Sequence, residues 1–122
     1  MMKKAVLLIT FMVGTLLIYI PQVSAQDVYA VTEKTYGGEI IDHYVITDSI
    51  KSTGNAFVVG VHAVGQNCEK NSYWTVPFAY FNREWHWAID GNLALAIPID
   101  KIDDPMLRSV IYGIFKTARE YM

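Results

Sequence analysis

Alternating apolar and polar positions dominate the middle of this chain and predict a series of β-strands. Turn-forming residues, such as the cluster Ser52–Asn55, separate the alternating runs. The run 56–64 (AFVVGVHAV) is almost wholly apolar and is expected to lie in the centre of a sheet. Short connections favour an antiparallel meander of five to six strands. The predicted strands are Asp27–Lys34, Glu39–Thr47, 56–64, Tyr73–Phe81, Trp85–Asp90 and Leu93–Ile97.

Large side chains of the fourth and fifth predicted strands alternate onto one face, which favours a dense aromatic core. Tyr73 and Phe81 fall on the opposite face, so they are the candidate residues for an exposed contact surface. Pro77 has no N–H to donate to a ladder, so we expect its strand to lie at a sheet edge or to carry a bulge there. The shared face is formed by Trp74, Val76, Phe78, Tyr80, Trp85, Trp87 and Ile89.

After Pro98 the hydrophobic period lengthens, which predicts one C-terminal α-helix. Asp103 and Asp104 are N-cap candidates, and Pro105 suits the first helical position because its φ is already helical. The apolar stripe of this helix needs a partner, and the aromatic face of the sheet is available. The fold class is therefore α+β, an antiparallel sheet with an amphipathic helix packed on one face. The stripe consists of Leu107, Val110, Ile111, Ile114, Phe115, Ala118 and Tyr121.

Residues 1–25 have the organisation of an export signal. Two lysines precede an uncharged apolar run, Ala5–Ile20, which ends at a proline and a short stretch of small residues. We expect cleavage between Ala25 and Gln26, leaving a single mature domain, 26–122, that is secreted, periplasmic or associated with the cell surface.

An uncleaved membrane anchor is the alternative interpretation of this segment. The apolar run of 16 residues is shorter than the roughly 20 that span a bilayer as a helix, which favours cleavage. A lipid-modified N-terminus needs a cysteine directly after the run, and the single cysteine, Cys68, lies far downstream. Contact with the membrane is therefore expected only through the signal segment before cleavage.

Removal of the signal takes two lysines from the ten basic residues and none of the twelve acidic ones, which leaves a net charge of −4. The remaining basic residues are scattered singly, without the stripe that binds phosphate backbones, which argues against nucleic acid as a partner. One cysteine allows no internal disulfide, so the domain depends on its hydrophobic core.

Candidates for catalysis are few. His43, His62 and His86 fall on three different predicted strands and could in principle meet at a metal, but no two have ligand spacing. Ordinary hydrogen-bonded strand histidines are the favoured interpretation, with His62 near an edge or bonded to a neighbour. Cys68 lacks a hydrolase signature and is expected to be inert or paired with another chain. Nucleotide and calcium motifs are also missing from the sequence, so we predict no enzyme activity, no metal and no cofactor.

The stretch Tyr44–Lys51 (YVITDSIK), followed by a polar turn and the strand Phe57–Val64, resembles small exported bacterial domains related to surface-adhesin protein E. That family has a motif similar to Y-x-D-x-x-S-I; here Ile46 occupies the place of the acid and Asp48 follows two residues later. The resemblance implies an antiparallel sheet with a packed helix and adhesion to host extracellular-matrix and serum proteins. It covers about 25 residues and carries over no binding residue.

Two functional hypotheses follow. The first is an exported, non-catalytic module that binds protein or glycan at the cell surface through a sheet edge or an exposed aromatic patch. The second is a small structural or assembly protein of the envelope that forms a homodimer by pairing edge strands.

Overall fold

A computed structural model describes residues Asp27–Met122. The predicted signal peptide and its cleavage site at Ala25 and Gln26 lie outside the described residues. Six strands are followed by one long helix, in agreement with the predicted α+β class. The elements are β1 (Asp27–Lys34), β2 (Ile40–Thr53), β3 (Ala56–Gly65), β4 (Asn71–Phe81), β5 (Glu84–Trp87), β6 (Ile97–Pro98) and α1 (Pro105–Arg119), with 3₁₀ turns at Ile89–Gly91, Leu93–Leu95 and Ile99–Lys101.

The six strands form one antiparallel meander in the order β1-β2-β3-β4-β5-β6. Two-residue turns join β2 to β3 and β4 to β5. Gly54 takes a φ of 59° between β2 and β3, and Asn82 and Arg83 take φ values of 52° and 67° between β4 and β5. Two consecutive positive φ values suit the right-handed twist of the flanking strands. The apolar run predicted to be central is β3, which pairs along its whole length with β4.

A bulge interrupts β2 between Ile46 and Lys51, where the register with β3 shifts. The Ser49 hydroxyl donates to the carbonyl oxygen of Ile46 at 2.6 Å and accepts from the N–H of Gly60 at 2.7 Å. The side chain thus satisfies backbone groups that the bulge removes from the ladder. The sequence predicted that this strand ends at Thr47; it continues to Thr53 because the bulge lets the pairing resume.

The predicted strand Leu93–Ile97 is wrong. Residues Leu93–Leu95 form a 3₁₀ turn, and pairing with β5 is limited to Ile97 and Pro98. The side chain of Asn92 accepts from the N–H of Ala94 at 2.9 Å, and this cap favours the turn over an extended strand. The fifth predicted strand, Trp85–Asp90, also ends early, at Trp87, because the chain turns at Ile89–Gly91.

Helix α1 begins where the sequence predicts and packs most of the predicted stripe against the sheet, but Tyr121 lies past its end and is 51% exposed. The Asp104 carboxylate accepts from the N–H groups of Met106 and Leu107, and Pro105 occupies the first turn. The helix covers one face of the sheet, where its buried residues contact the apolar side chains of β2, β3 and β4. The centre of this core comprises Val45, Phe57, Val59, Val61, Val76, Phe78, Val110, Ile111, Ile114 and Ala118.

Candidate functional site

A groove lined by aromatic rings runs between α1 and β5. Its walls are the rings of Trp85, Tyr112 and Phe115, and its volume is about 570 Å³. Tyr112 projects from the helix with 53% of its surface exposed. We call this feature the aromatic groove. A concave, mainly apolar site with a few polar groups at its rim is the usual form of a ligand-binding site.

The rings of the aromatic groove are held in place by the core beneath them. Trp85 meets Phe57 edge-on, with ring centroids 5.4 Å apart, and lies 5.3 Å from Phe115. The guanidinium of Arg119 lies 5.0 Å from the Trp85 ring, within the range of a cation–π interaction. These contacts fix the walls before any ligand arrives, which lowers the conformational entropy lost on binding.

Charged groups of both signs surround the aromatic groove, since its lining holds two carboxylates and one guanidinium and Arg119 lies over the Trp85 ring. Glu84 and Asp100 supply carboxylates, and Arg108 supplies a guanidinium. The Nη1 atom of Arg108 donates to the carbonyl oxygen of Ile102 at 2.6 Å, which anchors that side chain at the helix N-terminal end. A ligand here therefore meets an apolar floor beside two carboxylates.

The structure does not bring Tyr73 and Phe81, the two predicted contact residues, together. They lie eight residues apart on β4, which corresponds to about 27 Å along a strand. Tyr73 is exposed and stacks on His62 with ring centroids 4.3 Å apart, whereas Phe81 is partly buried and stacks on His86 at 3.7 Å. Each ring covers a histidine, and only Tyr73 offers a large exposed surface.

Each of the three histidines has a local partner of its own. His62, the one predicted to need a neighbour, is fully buried; its Nδ1 lies 3.1 Å from Asp27 and its Nε2 lies 2.6 Å from Asn71. The Nε2 of His43 lies 2.9 Å from Glu33, and the Nδ1 of His86 lies 3.1 Å from a backbone carbonyl oxygen. Among residues 27–122, groups of three or more side chains able to hold a metal ion do not occur.

Cys68 is a free thiol of intermediate exposure in the connection between β3 and β4. The same loop is tied to the rest of the sheet by Asn67, whose side-chain oxygen accepts from the N–H of Ile40 at 2.8 Å. The Asn67 amide also donates to the carbonyl oxygen of Gly38 at 3.1 Å. These two hydrogen bonds therefore hold the loop against the turn before β2.

On the face of the sheet opposite α1, burial raises the pKa of Tyr44 above its ordinary value of 10.0, and the nearby carboxylate of Asp42 adds to the effect. Because the pKa is raised in the folded state, the contribution of Tyr44 to the free energy of unfolding is fully present below pH 10. It is lost as the pH rises through the folded-state pKa. We expect Tyr44→Phe to reduce the loss of unfolding free energy at alkaline pH, measured by urea unfolding from pH 8 to 11. An unchanged dependence of stability on pH in Tyr44→Phe would contradict the assignment.

Comparison with protein-family models, with curated proteins and with solved structures finds no match to this chain. A helix both long and apolar enough to span a membrane is not present among residues 27–122.

The sequence patterns did not single out the aromatic groove. Tyr112 lies outside the core stripe of α1, but it belongs to a second stripe, Arg108, Tyr112, Phe115 and Arg119, at helical spacings of four, three and four. Aromatic residues between arginines on an otherwise solvated helix face are the signal that could have located the helix wall. The opposing wall, Trp85, belongs to the face that the sequence assigns to the core, and the structure packs it partly buried against that core.

Proposed function

We propose that this chain is an exported, non-catalytic binding protein that holds a segment of a partner protein in the aromatic groove. The n-region, apolar run and small residues within residues 1–25 support export. The observation that carries the proposal is the pre-formed groove walled by Trp85, Tyr112 and Phe115.

The charges beside the groove favour one class of segment. Glu84 and Asp100 would attract a lysine or arginine, and the net charge of −4 on residues 26–122 steers cationic partners toward the domain. The apolar walls fit a large aliphatic or aromatic side chain next to that basic residue. A protein partner also accords with the resemblance to surface-adhesin protein E domains.

The proposal is tested by selecting random 12-residue peptides on the immobilised processed protein, with a glycan array in parallel. We expect enrichment of peptides that carry a large apolar residue beside Lys or Arg. Tyr112→Ala should weaken the selected peptide at least tenfold in a fluorescence titration, because buried aromatic side chains commonly supply more than about 1.4 kcal/mol of binding free energy.

Tyr121→Ala is the matched control, since Tyr121 is 51% exposed and lies just past the end of α1. Its affinity should match that of the unmodified protein. Failure to enrich any peptide, equal loss in both variants, or glycan binding that disappears in Tyr112→Ala would overturn the proposal of a protein ligand.

A further inference from the structure

Half of β4 has an unpaired edge. Strand β5 pairs with β4 only from Phe78 to Phe81, so within the described residues the stretch Asn71–Val76 is paired on the β3 side alone. We call this stretch the open edge. Its length, six residues, equals that of a typical strand in a globular protein.

The direction of the backbone groups along the open edge follows from its neighbours. The carbonyl oxygen of Pro77 accepts from the N–H of Ala88, so the polar groups of Pro77 point away from β3. Register with β3 is regular along this part of β4, so the same direction recurs at every second residue. The N–H and C=O groups of Asn71, Tyr73 and Thr75 therefore point outward.

The other sheet edges carry features that discourage pairing with a second chain. The edge strand β1 contains Asp27, Glu33 and Lys34 and has a bulge between Tyr29 and Val31. The opposite edge strand, β6, consists of two residues, one of which is a proline. Charges, bulges, prolines and short length are common devices against edge-to-edge association.

The open edge has none of these features. Its sequence, NSYWTV, is uncharged, its register is regular, and Pro77 lies just beyond it. A cleft of about 380 Å³ adjoins the end of this edge nearest Pro77, where Trp74, Thr75 and Pro77 line it together with Trp87 and the turn Ile89–Gly91.

We propose that the open edge pairs with the open edge of a second copy of this chain, antiparallel and about a two-fold axis at Tyr73. In this register Tyr73 faces Tyr73 of the second copy, and Asn71 faces Thr75. All three outward-pointing residues then exchange backbone hydrogen bonds, and Pro77 is not required as a donor. The two sheets would join into one continuous antiparallel sheet.

A second copy is the occupant that the open edge itself favours. In a two-fold symmetric contact, a charged residue close to the axis lies near the same residue of the second copy. Repulsion between such like charges would oppose pairing of two chains that each carry a net charge of −4. Because the open edge is uncharged, the paired residues themselves place no like charges opposite each other; the charged residues Glu69, Lys70 and Asp90 lie beyond its two ends. The two strands are also matched in length and in the spacing of their donors, since they are identical.

Thr75→Pro tests the proposal without disturbing the β3 ladder, because the N–H that it removes points outward. Pro77 already occupies a position of the same direction in this strand. We expect light scattering of the processed protein to give twice the chain mass, and Thr75→Pro to give the single mass with unchanged circular dichroism. Thr75→Val, which keeps the N–H, should stay dimeric. A protein that is monomeric at millimolar concentration, or a dimer that survives Thr75→Pro, would overturn the proposal.

A cysteine placed on the proposed axis tests the register. In a Cys68→Ser background, Tyr73→Cys should form an intermolecular disulfide on mild oxidation, because facing residues of a hydrogen-bonded pair lie about 5.5 Å apart at Cα. Thr75→Cys faces Asn71 of the second copy instead and should remain reduced. Equal cross-linking of both variants, or of neither, would contradict the register. Tyr112→Ala leaves the open edge intact, so failure of the groove proposal and failure of the dimer proposal are separate results.

Discussion

His62→Leu is expected to lower the free energy of unfolding by about 3 kcal/mol, because it removes a hydrogen-bond partner from a buried carboxylate, that of Asp27. His62 has no exposed surface, and the Asp27 side chain beside it is 6% exposed. Leucine fills much of the space of the imidazole but offers no hydrogen bond. Asp27 would then lose the ring nitrogen that lies 3.1 Å from its Oδ2 atom.

The geometry of this cluster makes His62 a donor to Asp27 in either protonation state of the ring. The Nε2 atom of His62 faces the side-chain oxygen of Asn71, and the Nδ1 atom faces a carboxylate oxygen of Asp27. Two acceptors on opposite sides require an imidazolium that donates from both nitrogens. A neutral ring meets the same distances only if the Asn71 amide is turned so that its NH₂ donates to Nε2. In both arrangements the ring donates to Asp27, so replacing His62 removes this hydrogen bond from a carboxylate that is largely shielded from water.

His86→Leu is the matched control for this prediction. His86 is 4% exposed and lies under Phe81 as His62 lies under Tyr73, but its Nδ1 lies 3.1 Å from a backbone oxygen of Glu84 rather than from a carboxylate. Urea unfolding should show a loss of about 1 kcal/mol for His86→Leu, the usual net value of one hydrogen bond. Equal losses in the two variants would show that the contact of His62 with the buried carboxylate adds nothing to the free energy of unfolding beyond an ordinary hydrogen bond.

The sequence indicated that His62 lies near an edge or is bonded to a neighbour; the structure shows a bonded neighbour and full burial away from the edge, and the sequence did not identify the partners. The apolar neighbours of His62 in 56–64 predicted a central strand, and that strand is β3. Asp27 lies 35 residues away and belongs to β1, which is not adjacent to β3 in the sheet. Only the curvature and register of three strands bring the two side chains together, and alternation along one strand carries no such information.

The error at Leu93–Ile97 has a different origin. Alternation of leucine and alanine fits a half-buried strand, and here it competes with the capping side chain of Asn92. A five-residue run offers few ladder bonds, so a single local hydrogen bond decides its conformation. The helix, by contrast, was predicted well because its cap, its proline and its apolar stripe all indicate the same structure.

Gly113→Ala is expected to destabilise the fold by about 2 kcal/mol, although alanine is the better helix former by roughly 1 kcal/mol. Helix α1 crosses β1 at this residue. A Cβ atom built on Gly113 would lie 2.7 Å from the Cβ of Val31 and 3.1 Å from its Cγ1, so the helix would have to move away from the sheet. The loss of packing exceeds the gain in propensity because the whole helix face is displaced.

Two further variants isolate the steric cause of this effect. Gly37→Ala makes the same chemical change in a turn where the nearest side-chain atom is 3.9 Å away, and its stability should stay within about 0.5 kcal/mol of the unmodified protein. Val31→Gly removes the opposing Cβ, so Gly113→Ala should be less harmful in that background than alone, a coupling that urea unfolding of all four proteins would measure. Strict additivity would mean that the helix accommodates the methyl group without touching β1, and that the close approach at Gly113 does not set the distance between helix and sheet.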